Sequence, residues 1–230
     1  MKKYQHIFFD LDETLWDFKR NSLETLHDVF EMHELHRHGI EKETFIRRYH
    51  HHNDIFWEKY RKGQITRIEL RTDRWKITLN EFQIDDETLT QNLSENYLAI
   101  LPTKKHLLED AEEVLTYLKT KYSLHIITNG FEEVQLQKIE TSGIGKFFNY
   151  IITSERAGSQ KPNREIFLFA MQLTNATLSN SLFIGDSIEA DINGAKAVGM
   201  DHIFFNPLML ARHEQVQSEI KGLKELMKML

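Results

Sequence analysis

Five short apolar runs constrain this chain more than any other feature: HIFFD at 6–10, LHIITN at 124–129, NYIITS at 149–154, SLFIGD at 181–186 and HIFFN at 202–206. Each runs through Ile, Leu or Phe and then stops on Asp, Asn or Ser. Continuous apolar character over so few residues fits a strand covered on both faces, the setting of a parallel sheet. Between the last four runs lie stretches with helical spacing. Residues 131–142 place Phe131, Val134, Leu136 and Ile139 roughly on one side, and 162–173 opens with Pro162 at a first helical position. Residues 188–198 carry Ala190, Gly194, Ala195 and Ala197, small enough for a helix to lie close to a sheet. Strand and helix in alternation predict an α/β fold, a doubly wound core with a mainly parallel sheet.

The first two runs break that rhythm. More than a hundred residues separate them, too many for a single crossover helix. This stretch reads as amphipathic helices at about 19–36, 41–60, 65–80 and 86–99, then a further helix at 105–120. Leu23, Leu26, Val29 and Phe30 form one apolar stripe; Phe45, Tyr49, Phe56, Trp57 and Tyr60 contribute to the next. The expected organisation is a core domain of 1–15 and 100–230, interrupted by a helical domain at 16–99. With 230 residues and 40% of them hydrophobic, the chain has enough apolar material for this.

Composition removes several function classes. The absence of Cys excludes disulfides, thiolate zinc sites and cysteine nucleophiles. A formal net charge of −6 gives no general attraction to nucleic acid or anionic lipid. No apolar stretch is long enough for a signal-peptide core or a bilayer span. The expectation is a soluble cytoplasmic protein with neither a membrane nor a nucleic-acid polymer as partner.

In parallel α/β sheets, ligands bind beyond the carboxyl ends of the strands. Here those ends carry Asp10 with Asp12, Thr128 with Asn129, and Gly185 with Asp186, while the third strand leads into a loop bearing Lys161. Crowded carboxylates repel one another and are costly to desolvate, so Asp10, Asp12, Glu13 and Asp17 imply a cation nearby. Mg²⁺ prefers oxygen ligands and binds through a few carboxylates, here Asp10 and Asp186. A carboxylate can also attack phosphorus, and a second one two residues on can protonate the leaving oxygen and later deprotonate water. Thr128 and the Asn129 amide can hold phosphate oxygens, with Lys161 offsetting charge. Pro162 restricts the backbone of Lys161.

The stretches DLDETL, IITNG, Lys161 in QKPN, and GDSIEAD resemble, in order, the four motifs of the haloacid-dehalogenase superfamily of phosphohydrolases. The resemblance covers about 1–15 and 100–210, with the helical insertion placed as in members that carry a helical cap after the first motif. It implies Asp10 as nucleophile and Asp12 as general acid/base. It further implies Asp10, the Asp12 carbonyl and Asp186 as Mg²⁺ ligands, Asp191 as support for them, and Thr128, Asn129 and Lys161 as the phosphate clamp. Many members have Gly where this chain has Glu13. The DxDETLxDF form, with Phe18, is similar to cytosolic pyrimidine 5′-nucleotidases. NDIFWEKYRKGQIT followed by Arg71 and Arg74 resembles the cap pattern of that group, which implies substrate-side roles for Asn53, Trp57 and Arg74.

The expected function is therefore Mg²⁺-dependent phosphomonoester hydrolysis, with a small phosphorylated metabolite, a nucleoside monophosphate, as substrate. A sugar-phosphate or phosphoglycolate-type phosphatase is the alternative. A haloacid dehalogenase would need neither Mg²⁺ nor Asp12, and a non-catalytic phosphate binder would not need Asp12. A mutase would return phosphate to its substrate, and a dinucleotide-binding dehydrogenase lacks its GxGxxG after the first strand. The histidines of HELHRH (33–38) and HHH (50–52) lack metal-site spacing and read as surface residues of the helical domain.

Overall fold

The computed structural model describes residues 4–209, 216 and 218–230. The chain forms two compact units, Met1–Phe18 with Lys105–Leu230, and Lys19–Lys104. The first begins with strand β1 (His6–Phe9), after which the chain leaves for four helices: α1 (Phe18–Met32), α2 (Lys42–Arg61), α3 (Arg67–Glu81) and α4 (Glu87–Ile100). It returns through α5 (Ala111–Lys119), β2 (Ser123–Thr128), α6 (Glu132–Thr141) and β3 (Phe148–Thr153). The remainder is α7 (Ser154–Ala157), α8 (Arg164–Thr174), β4 (Ser181–Gly185), α9 (Asn193–Val198), β5 (Asp201–Phe205), β6 (Glu219–Ile220) and α10 (Leu226–Met229).

Among the described residues, six strands form one parallel sheet in the order β3-β2-β1-β4-β5-β6. Strand β1 is central, and Ile7, Phe8 and Phe9 are fully buried, as strands covered on both faces must be. Phe8 joins Ile127, Ile152 and Phe183 from neighbouring strands with Ile166, Phe167 and Ala170 of α8 in one apolar cluster. The close approach that the small residues of α9 allow at Gly194 is to helix α8 and not to the sheet: a Cβ there would lie 2.5 Å from the Phe167 ring. The chain order reverses beside β1, the place where doubly wound sheets open a crevice.

In the helical unit, side chains start the helices by taking up unpaired backbone N–H groups. Glu41 accepts from Glu43 and Thr44, Asp86 accepts from Leu89, and Thr66 with Glu69 forms a reciprocal capping box. Its interior is aromatic, with Tyr49 and Trp75 ring centroids 4.1 Å apart and Tyr97 within 5.4 Å of both. Among the described residues, no helix is long and apolar enough to cross a membrane.

Several expected features differ. The helix expected at 105–120 begins only at Ala111, because Leu107 pairs with Trp16 and the Leu108 amide donates to Leu15. The helix expected at 19–36 stops at Met32, just before Glu34 turns left-handed. Residues Ile188–Ile192 form a π-helical turn ahead of α9. Leu23 and Leu136, expected on apolar stripes, are 40% and 43% exposed, and Ala197 is exposed. Strand β6 was not expected, since two residues carry no periodicity.

Candidate active site

The carboxyl ends of β1, β2 and β4 and the loop after β3 converge at this central crevice. Asp10 follows β1 directly, and its backbone N–H donates to the Ile184 carbonyl of β4 at 2.9 Å. Asp186 follows β4, and Asp191 lies in the π-turn just beyond. Asp10, Asp186 and Asp191 each bring a carboxylate oxygen within 4.8 Å of the others. Lys161, 2% exposed, donates to Asp10 Oδ1 at 2.5 Å and to Asp191 Oδ1 at 2.6 Å. The other Asp191 oxygen accepts from the Ser187 N–H at 3.0 Å. Gly185 makes room for this, since a Cβ there would sit 2.4 Å from Asp191 Oδ2.

One ammonium does not balance three carboxylates, two of them buried and Asp186 partly so. Burial, against the pull of Lys161, raises Asp10 to about 7, and the Asp191 and Asp12 charges add to it. Burial, then Asp10 and Asp191, hold Asp186 well above the usual carboxylate range. Burial alone would push Lys161 down, yet the two carboxylates beside it raise it above its ordinary value.

Asp12 stands apart from that trio. Its Oδ1 accepts from Lys138 Nζ at 2.7 Å and its Oδ2 from Gln135 Nε2 at 2.8 Å. The Thr128 hydroxyl oxygen accepts from Gln135 Nε2 at 2.6 Å and from the Gly130 N–H at 3.2 Å. The Asn129 side chain braces the loop after β3: it donates to the Lys161 carbonyl at 2.9 Å and accepts from the Lys161 N–H at 2.8 Å. The Lys161–Pro162 bond is cis. Glu13 has φ 61°, the left-handed region that Gly enters without strain, which gives a backbone reason for the Gly of other family members.

The structure therefore brings Asp10, Asp12, Thr128, Asn129, Lys161, Asp186 and Asp191 to one end of the sheet. Asn53 and Arg74 meet instead inside the helical unit, where the Arg74 guanidinium donates to Asn53 Oδ1 at 2.6 Å and lies 5.6 Å from the Tyr49 and Tyr97 rings. Both residues are buried, whereas Trp57 is half-buried against Tyr60.

A doubly wound sheet with a helical insertion and this acidic, lysine-bridged edge defines a hydrolase class. Residues 4–199 match the haloacid dehalogenase-like hydrolase family, and the chain belongs to that family; it is an enzyme. It is 29% identical over 229 residues to the HAD-hydrolase YfnB of Bacillus subtilis, covering 98% of this chain and 95% of that one. The magnesium-bound orthorhombic crystal structure of YfnB matches with a TM-score of 0.90 at 28% identity over 99% of both chains. The pyrimidine 5′-nucleotidase YjjG of Escherichia coli is 30% identical over 205 residues, 89% of this chain and 87% of that one. The pyrimidine 5′-nucleotidase PynA of Streptococcus pneumoniae is 29% identical over 217 residues, 93% and 89% of the two.

Three residues at the site escaped sequence reasoning. Thr14, inside DLDETL, donates to Asp186 Oδ1 at 3.1 Å. Gln135 and Lys138 are 0% and 3% exposed. Their spacing of three on one helix was visible, but nothing in it distinguished a polar face turned inward from one turned to water.

Proposed function

We propose that this chain is a Mg²⁺-dependent phosphomonoester hydrolase acting through an aspartyl-phosphate on Asp10, with nucleoside 5′-monophosphates, pyrimidine ones foremost, as substrates. The observation that carries this reading is the pair of differently held carboxylates two residues apart. Asp10 is buried with Lys161 among acids, while Asp12 is turned to α6 with its carboxylate partly exposed. A dehalogenase has no use for the second carboxylate or for a cation.

The donor set fits Mg²⁺. It is all oxygen, it gathers three carboxylates, and the burial and repulsion that raise Asp10 and Asp186 mark a deficit of positive charge. Asp10, Asp186 and the Asp12 carbonyl would hold the ion. Asp191 braces them, as the commitment of its two oxygens to Lys161 and Ser187 supports. Bound there, Mg²⁺ supplies positive charge to phosphoryl oxygens and keeps the nearby carboxylates ionised.

In the first half-reaction an Asp10 oxygen attacks phosphorus and the bond to the leaving oxygen breaks. Protonated Asp12 gives that oxygen its proton, so an alcohol departs. In the second, water attacks phosphorus and passes a proton to Asp12. The phosphorus–Asp10 bond breaks, leaving inorganic phosphate and the original carboxylate. Lys161, the Thr128 hydroxyl and the Asn129 backbone amide offset the charge on the transferring group. The nucleotidase assignment draws on the DLDETLWDF motif and on the likeness to YjjG and PynA. On the helical unit, Trp57 and Asn53 of α2 and Arg74 of α3 are assigned to the leaving group by the likeness of their stretch to the cap pattern of those nucleotidases.

Phosphate release from nucleoside monophosphates and small sugar phosphates, with Mg²⁺ and with EDTA, tests this reading. The expected result is Mg²⁺-dependent release favouring pyrimidine monophosphates, with Asp10→Asn losing at least about 10³-fold in kcat. Release from sugar phosphates alone would replace the nucleotidase assignment, and full activity of Asp10→Asn would remove the mechanism.

A further inference from the structure

The face of α6 that meets the site is built in a way that the phosphatase steps do not use. Gln135 Nε2 has two hydrogens and two acceptors, Asp12 Oδ2 at 2.8 Å and Thr128 Oγ1 at 2.6 Å. The amide can face only this way, because an ionised carboxylate accepts and does not donate. Its own oxygen, buried with no hydrogen-bond partner among the described residues, forgoes one bond to keep that orientation. Thr128 Oγ1 also accepts from the Gly130 N–H at 3.2 Å. Both its lone pairs are then used, so its hydrogen is left to be donated outward.

Lys138 completes the frame. Its ammonium, 3% exposed, donates to Asp12 Oδ1 at 2.7 Å and lies 4.4 Å from the Trp16 ring centroid and 5.5 Å from that of Phe18. The Asp12 side chain is 28% exposed, so a carboxylate fixed from behind on both oxygens still faces solvent. Gly130 is needed for the reach of Gln135, because a Cβ there would lie 2.3 Å from Gln135 Cδ.

We infer that Gln135 and Lys138 are positioning residues that aim the Asp12 carboxyl at the leaving oxygen, and that Gln135 also turns the Thr128 hydroxyl hydrogen toward the phosphoryl group. The inference rests on the phosphatase reading. It makes the NGFEEVQLQK stretch one device that ties acid/base delivery to phosphate binding.

The test compares two substrates by kcat/KM, which reports only the steps through the first phosphoryl transfer. A nucleoside alkoxide needs a proton from Asp12 to leave, whereas p-nitrophenolate leaves without one. Lys138→Met and Gln135→Leu are expected to lose about a hundredfold on uridine 5′-monophosphate, and at least about tenfold less than that on p-nitrophenyl phosphate. Lys138→Arg, which keeps the cation, recovers most of the loss. Inhibition by inorganic phosphate weakens in Gln135→Leu and not in Lys138→Met. Circular dichroism checks that each variant folds, and if one does not, the other carries the same comparison. Equal losses on both substrates overturn the inference and leave the phosphatase standing. Wild-type protein that releases phosphate from neither substrate overturns the phosphatase reading, and the inference with it.

Discussion

Both oxygens of Asp191 are engaged: one accepts from Lys161 and the other from the Ser187 amide. Gly185 leaves it room, and that sets a sharp test at the scale of one methyl group. In Gly185→Ala the new Cβ would meet Asp191 Cγ at 2.5 Å, inside contact distance, so Asp191 must shift and release the lysine. Groups that orient metal ligands typically govern affinity by about 10–100-fold. Gly185→Ala should therefore weaken Mg²⁺ binding by that factor in calorimetry with little change in far-UV circular dichroism. Unchanged affinity would mean that Asp191 does not support the metal site. The same scale shows which of the grouped residues could be read from the sequence. Asp10, Thr128, Lys161 and Asp186 were legible because each sits at a strand end or the loop after one, where chemistry limits the choice. Gln135 and Lys138 were not, because a buried amide and ammonium on a helix cannot be told from solvated ones until their partners on another element are known.

At the scale of elements, the central strands carry an acid-sensitive pair. His125 of β2 is 1% exposed and stacks on Phe8 and His6 of β1, with centroids 4.7 and 5.3 Å away. Burial, then the nearby His6 and Lys119, lower His125 to about 3. The unfolded chain protonates its histidine near pH 6.5, and the folded one refuses the proton until about pH 3. Stability from this residue is thus complete above pH 6.5 and is lost as pH falls through that window, by up to about 1.4 kcal/mol per pH unit. His125→Phe, which keeps an aromatic ring against Phe8, should flatten the acid limb of a denaturant-unfolding series between pH 6.5 and 4. An unaltered limb would show that His125 is not the sensitive group. The strands themselves were readable from sequence because burial on both faces leaves unbroken apolar runs. The start of α5 was not, since the pairing of Leu107 with Trp16 is a long-range event that overrides helical spacing.

The whole molecule joins a parallel-sheet unit to a helical one, and the large gap between the first two apolar runs announced that arrangement. The edges expected for the helical stretch, 16 and 99, differ from those of the compact unit Lys19–Lys104, because residues 15–17 pair back onto 106–108. Three clustered carboxylates, Asp10 and Asp191 buried and Asp186 partly so, face one lysine, so Mg²⁺ should stabilise the fold by mass action. At a hundredfold excess over the dissociation constant the gain is about 2.7 kcal/mol, worth roughly 5–10 °C in a chain of this size. EDTA should reverse the shift in a thermal melt, and Asp186→Asn should abolish it; a melt indifferent to Mg²⁺ would argue that the acidic trio holds no cation. The central claim is that Asp10 carries the phosphoryl group. Rapid acid quench during turnover of a nucleoside monophosphate, followed by mass mapping of the peptides, tests it most directly. The expected result is one transient phosphoryl group on the peptide containing Asp10, absent in Asp10→Asn. Phosphate released at full rate with no phosphorylated Asp10 at any quench time would contradict it.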